Sequence, residues 1–416
     1  MASIPRDSIF DSSLALLKEG NTFIYNRCKK LNSDIFETRL LLKKTVCIQG
    51  KEAAKAFYKE GRFTRQGAIP KSVLWSLQDE GSVATLNDEA HHQRKAMFMS
   101  MMTQAAIEKL LQHTAHHWQQ AIGNWKTKDK VVLLPELEKI ICAAVCQWIG
   151  IKLTAEETAS RSKEIGAMID GAGSVGWRNW RGLFWRRRTE KWLQRCILKT
   201  RNGEFQPEQN SPLFIIAFFK DENGQQLDTD IAAVELLNIV RPTVAVARYI
   251  LFCAFALQQY PQCRRNVCNT ADYADYFVQE VRRFYPFFPF VGGIVRQPFS
   301  WQGYDFTPGL RVLLDIYGSN RDPREWDRPT CFKPERFAQR TDDSYTFIPQ
   351  GGGDVLFNHR CAGEWITTAL MKQAVLILTQ LRYQVVTSGV ELLLHRMPAV
   401  LSPEFTITHV NTIHED

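Results

Sequence analysis

The sequence predicts a mainly α protein with a minor mixed β portion, and three observations point there. Helical apolar periodicity dominates from about Glu89 to Gln259. Strand signals are short and confined to the first seventy residues and to the stretch between Ile294 and Tyr317. No Pro/Gly/Ser-rich linker, low-complexity stretch or internal repeat divides the 416 residues. Length alone would suggest two or three domains. The undivided pattern instead predicts one unit over residues 1–416, and a hydrophobic content of 45% suits a sizeable core.

Taken in order, Lys43 to Ile48 reads as a strand ending before Gly50. The helices that follow break near Gly171 to Gly182 and at the Asn202 to Ser211 loop. Among them, Ile231 to Gln258 is a long apolar helix, and its Tyr249 to Leu257 run belongs inside the protein. No uninterrupted apolar stretch reaches the ~18 residues needed to span a membrane. A helix over Asp272 to Tyr285 is closed by Pro286. Next comes a hairpin-like stretch with a Gln302-Gly303 turn, then Pro308-Gly309 leading into Leu310 to Tyr317. The final helix is predicted from around Cys361 toward Leu381.

A net charge of +8 modestly favours acidic partners, anionic ligands or membrane surfaces. Much of the local excess lies in Trp177 to Arg188, where arginine and aromatics alternate. Single-stranded nucleic acid is held by such mixtures, but no nucleic-acid fold motif accompanies this one, so no nucleic-acid partner is expected. The expectation is a solvated segment whose tryptophans pack inward; the alternative is an entrance rim that attracts long-chain carboxylates or touches lipid. Ten scattered cysteines without C-x-x-C, and a polar Met1 to Asp7 start with no apolar h-region, predict reduced thiols and a cytoplasmic protein. Gly171 to Gly176 spells G-x-G-x-x-G, but a helix rather than a strand precedes it, so a helix break is the reading. His113, His116 and His117 have zinc-clamp spacing without a supporting carboxylate and read as a polar helix face.

The chemistry concentrates near the C-terminus. Phe347-Ile348-Pro349-Gln350-Gly351-Gly352-Gly353 leads through Asn358-His359-Arg360 to Cys361-Ala362-Gly363-Glu364. A glycine-rich loop that brings one cysteine to the start of a helix aims a sulfur, and free N–H groups there should lower its pKa. Gly363 removes bulk where a flat cofactor would approach the backbone. Such a thiolate is a good haem-iron ligand. Upstream, Glu280 and Arg283 sit three apart on one helical face. Asn320-Arg321-Asp322-Pro323, Trp326 and Pro334-Glu335-Arg336-Phe337 follow.

In this order the segments resemble the cytochrome P-450 superfamily: its E-x-x-R helix, its P-E-R-F meander and its cysteine loop. Where that superfamily normally has an acid–alcohol pair, the long helix reads Asn238-Ile239-Val240-Arg241-Pro242-Thr243-Val244. The Arg-Pro pair resembles the bacterial fatty-acid peroxygenases. The likeness extends to Phe63-Thr64-Arg65, to Ala90 through Lys95, to Gln279 through Pro286 and to Leu313 through Gly318.

The resemblance implies the cytochrome P-450 fold and haem b with Cys361 as its axial ligand. It implies that His91 and Lys95 meet the haem propionates, with Arg65 as a third. Glu280 and Arg283 become a structural pair tethering the Pro334 to Phe337 segment. Above the haem the usual His or Gln falls on Ala84, and Phe287, Phe288 and Phe290 line an acyl pocket narrowed at Phe288. Arg241 should be buried and therefore needs an anionic partner. A substrate carboxylate held bidentately is the simplest one. Pro242, beside it, removes an N–H and should loosen the helix. The expected activity is peroxide-driven hydroxylation at carbon α or β, or oxidative decarboxylation, of fatty acids or similar acids without a redox partner. The substrate carboxylate would act as acid–base catalyst. Alternatives are a reductase-dependent monooxygenase and a non-catalytic haem or lipid-binding protein.

Overall fold

A computed structural model describes residues 3–70, 81–341 and 343–413. Its helices are α1 (Ser13–Glu19), α2 (Phe23–Leu31), α3 (Lys51–Phe57), α4 (Asp88–Ser100), α5 (Gln104–Trp125), α6 (Leu133–Trp148) and α7 (Ala155–Gly171). They continue as α8 (Trp177–Arg201), α9 (Pro212–Phe218), α10 (Thr229–Gln259), α11 (Pro261–Asn269), α12 (Tyr273–Phe284), α13 (Ile316–Ser319) and α14 (Glu364–Thr379).

The strands of the described residues fall in four sheets, and the largest has five. There β1 (Ile35–Leu40), β2 (Lys43–Ile48), β8 (Arg311–Asp315), β5 (Phe290–Val295) and β3 (Phe63–Thr64) lie side by side in that order. Only the β2–β8 pairing is parallel. A hairpin of β6 (Phe299–Trp301) and β7 (Tyr304–Phe306) turns at Gln302 and Gly303, both at positive φ, as a two-residue turn between twisted strands requires. The sequence reading therefore placed β2 and this turn correctly. It extended β8 past Asp315, where α13 begins.

α10 organises the core. Its 31 residues span roughly 46 Å at 1.5 Å per residue, packed against α6, α7, α8, α9 and α14. It is long and apolar enough to cross a bilayer, yet 94% of its most apolar window is buried inside the protein. A buried helix is apolar all round, so its composition reflects the core it fills. The helix also runs unbroken through Pro242. The predicted loosening reduces to the freed Asn238 carbonyl, next to which Thr243 Oγ1 donates to the Ile239 carbonyl at 2.7 Å.

The glycines of the 171–176 segment have packing reasons. A Cβ on Gly171 would lie 2.8 Å from the Arg178 carbonyl oxygen, and one on Gly173 would lie 2.5 Å from Met397 Cβ. No strand feeds this turn; α7 does. α8 starts at Trp177, five residues before the expected end of the break.

Candidate active site

The loop before α14 is built to present Cys361. Gly351 and Gly353 both sit at positive φ, and a Cβ on Gly353 would fall 2.2 Å from Asn358 Oδ1, so only glycine fits there. The Cys361 N–H donates to the Gln350 carbonyl at 3.1 Å. The Gln350 side chain turns back, its Nε2 donating to Cys361 Sγ at 3.6 Å and to Thr367 Oγ1 at 3.1 Å. Arg282 Nε in turn donates to Gln350 Oε1 at 3.1 Å, and its guanidinium also pairs with Glu364. Gln350 thus holds the sulfur from a side chain that is itself fixed at both ends. Sequence reasoning missed it, although it stands next to the glycine run.

Two expectations about the cysteine need correction. α14 begins at Glu364 with Gly363 as N-cap, so Cys361 lies ahead of the helix rather than at its start. Its thiol pKa is raised, not lowered. Burial and the Glu364 carboxylate push it up, and these outweigh the Gly363 N–H, Lys95 and Arg282, which pull it down. A bound metal ion would reverse this, because a coordinating thiol is deprotonated outright.

The surroundings fit haem. Cys361, Ala362 and Gly363 keep accessible surface, and a Cβ on Gly363 would meet nothing within 4 Å except Cys361 Sγ at 3.9 Å. At one edge, Arg65, His91 and His359 line a cleft of about 70 Å3. The His91 and His359 rings lie 4.0 Å apart. Burial and the nearby Lys95, His92 and Arg65 push the His91 pKa down to about 4. Lys95 Nζ donates to the carbonyls of Asn358 and Arg360. Arg65 Nη1 donates to the Gly292 carbonyl at 2.5 Å. The three residues predicted for the propionates are thus gathered at one edge, with His359 added. His359 precedes Cys361 by two residues, which was the available signal.

Below, Glu280 and Arg283 form a fully buried bidentate pair at 2.7 and 2.8 Å. Arg283 also donates to the carbonyls of Asn320, Pro329 and Cys331, while Glu280 accepts from the Lys333 N–H at 2.8 Å and pairs with Arg336 at 3.2 Å. The pair therefore grips the 320–336 meander over a broader stretch than Pro334 to Phe337.

On α10, Arg241 is buried, and among the described residues it makes no hydrogen bond or ion pair. Burial and the charge of Arg186 push its pKa down to about 9, a measure of how poorly the site tolerates an uncompensated cation. Glu235 cannot serve it. That carboxylate already accepts from Arg94 at 2.6 Å, from the Val83 N–H at 2.8 Å and from Asn238 at 3.1 Å. The Val83 contact also fixes the loop bearing Ala84 beside α10. Pro242 is exposed between buried neighbours, so the helix borders open space there.

Phe287 stacks on Tyr249 of α10 with centroids 5.3 Å apart, and Phe288 meets Phe287 edge-on at 4.8 Å. Phe290 is set apart from them. It packs against the cluster of Phe23, Phe36 and Leu313 because β5 alternates its side chains across the sheet. His116 and His117 bond to Gln120 on the exposed face of α5.

The Cytochrome P450 family model matches residues 266–408. The chain is similar in structure to cytochrome P450EX alpha (CYP152N1) with myristic acid, at TM-score 0.96 and 38% identity, covering 99% of this chain and 100% of that one. It is also similar to cytochrome P450SP alpha (CYP152B1) in complex with (R)-ibuprofen, at TM-score 0.94 and 41% identity over 97% and 99% of the two chains. A pig (Sus scrofa) relative, taurochenodeoxycholic 6 alpha-hydroxylase, is 30% identical over 193 residues, 41% of this chain. That match spans only 37% of the pig protein's length.

Proposed function

This chain belongs to the cytochrome P450 superfamily, within the CYP152 family, and from that premise we propose that it is a haem-thiolate peroxygenase. It uses hydrogen peroxide to hydroxylate or oxidatively decarboxylate fatty acids or similar carboxylic acids. It works in the cytoplasm and needs no redox partner. The carrying observation is the buried Arg241 guanidinium, which has no partner among the described residues. The ligands named with the two CYP152 relatives, myristic acid and ibuprofen, are both carboxylic acids, which supports a carboxylate as the missing partner.

Cys361 Sγ would hold the haem iron, with Arg65, His91, Lys95 and His359 near its propionates. When bound, haem supplies the oxidising chemistry: peroxide O–O cleavage and removal of hydrogen from a substrate carbon. Arg241 binds the substrate carboxylate through its planar fork and so fixes the acid end of the chain. Pro242, Ala84, Phe287 and Phe288 border the chain beyond it and exclude water. Glu235 and Thr243 of α10 are not free to move the peroxide proton, because the Glu235 carboxylate already accepts three hydrogen bonds and the Thr243 hydroxyl donates to Ile239. Arg241 keeps the substrate carboxylate ionised, and that carboxylate becomes the base and then the acid.

Arg241→Ala is expected to keep haem and the thiolate spectrum. It should lose the fatty-acid-induced spectral change and peroxide-driven turnover, on the order of 100-fold or more, as for a truncated buried charge pair. Arg241→Lys should recover only part, since one ammonium cannot form the fork. Normal turnover by Arg241→Ala, or turnover that needs a reductase instead of peroxide, would refute the reading.

A further inference from the structure

The first turns of α8 are inverted with respect to an ordinary surface helix. Asn179, Gly182, Arg186 and Thr189 are buried, while Trp177, Trp180 and Phe184 are 77%, 72% and 62% exposed. The sequence expectation that the tryptophans of this segment pack inward therefore fails for Trp177 and Trp180 and holds for the partly buried Trp185, which packs on the main core. Where α8 crosses α7 the inward position is small. A Cβ on Gly182 would already stand 3.3 Å from the Ala167 carbonyl oxygen and 3.5 Å from Met168 Cα, so nothing large can face inward there. That accounts for the small inward residue; it does not call for three aromatics outside.

The same exposed stripe continues, at helical spacing, as Arg187, Arg188, Lys191 and Arg195. A second apolar group is exposed near the N-terminus. Phe10, Leu14 and Leu42 are 72%, 73% and 73% exposed, and Leu41 and Leu42 are tied to the start of α1 through Ser13 and Asp11. The turn around Leu394 to Met397 contacts both the segment just after α1 and the turn between α7 and α8. Asn21 bonds to the Leu394 and Arg396 carbonyls, Gly173 N–H donates to the Met397 carbonyl, and Arg396 pairs with Asp170.

We propose that this face, led by Trp177, Trp180 and Phe184 with the basic stripe behind them, docks on an anionic lipid bilayer surface. Tryptophan and phenylalanine settle at the headgroup level, and basic residues alongside add attraction for anionic lipid. α8 would lie on the surface without crossing it. The proposal rests on the peroxygenase reading only for its use, which is to collect a substrate that partitions into lipid.

The test is flotation of the haem-loaded full chain with vesicles, without peroxide or fatty acid, so that failure of catalysis and failure of docking are read separately. Binding to phosphatidylcholine–phosphatidylglycerol vesicles is expected to exceed binding to phosphatidylcholine alone and to fall with salt. The Trp177→Ser/Trp180→Ser/Phe184→Ser variant should bind at least about tenfold more weakly. The Arg187→Glu/Lys191→Glu variant should lose the preference for anionic vesicles. Equal binding by the aromatic variant and the unmodified chain overturns the proposal. So does a concentration-dependent dimer that the aromatic variant abolishes while the unmodified chain ignores vesicles, because a second copy would then be the occupant.

Discussion

Cys361→Ala is expected to abolish both the red-shifted Soret band of the reduced carbon-monoxide complex and all peroxide-driven activity. That band distinguishes a thiolate ligand from histidine, and Cys361 is the cysteine whose neighbours prepare it for iron. Gln350 donates to its sulfur, Arg282 and Thr367 fix Gln350, and Gly363 leaves the adjoining backbone open. Cys263 is the informative control. It is buried, and it lies on α11 beside the Tyr273 hydroxyl at 3.5 Å, away from this network. Cys263→Ala should keep the band. Survival of the band in Cys361→Ala would refute the ligand assignment.

Arg283→Ala should give little folded, haem-loaded protein. Removing it takes the bidentate partner from the fully buried Glu280 carboxylate, leaving it the Lys333 N–H and Arg336, and withdraws a donor from three backbone carbonyls of the meander at once. Truncating one partner of a buried pair costs about 3–5 kcal/mol, a large share of a typical 5–15 kcal/mol total. The loss would be measured as haem incorporation and denaturation midpoint of the purified variant. Full haem loading with only substrate affinity changed would contradict a structural role.

What the sequence disclosed followed from how locally each feature is determined. β2, the Gln302-Gly303 turn and the span of α12 depend on residues within a few positions, and each lies close to where pattern and turn chemistry put it. The Arg241 environment was also legible, because an arginine amid apolar neighbours on a long buried helix implies a missing anion. Features set by contacts between distant segments were not legible. Which face of α8 meets α7 is set by their tertiary packing, with Gly182 at the close contact. Phe290 follows the pleat of β5, not the aromatic run it belongs to in sequence. The thiol of Cys361 was expected to be acidic from its approach to a helix, but burial dominates once the loop folds over it. Gln350 and His359 are marked in the sequence only by their closeness to the glycine run and to Cys361, and their contacts emerge when the loop closes.

The central claim is that Arg241 recruits a carboxylate that does the proton transfer for which Glu235 and Thr243 of α10 are already engaged elsewhere. It is tested most directly in the unmodified enzyme with a neutral hydrocarbon substrate and hydrogen peroxide, measured with and without a short carboxylic acid. The expected result is slow oxidation alone and a rate at least about tenfold higher when the acid occupies Arg241, the range of general acid–base effects being larger still. The added acid should give Arg241→Ala no such rise. Equal rates with and without the acid in the unmodified enzyme would contradict substrate-assisted peroxygenation.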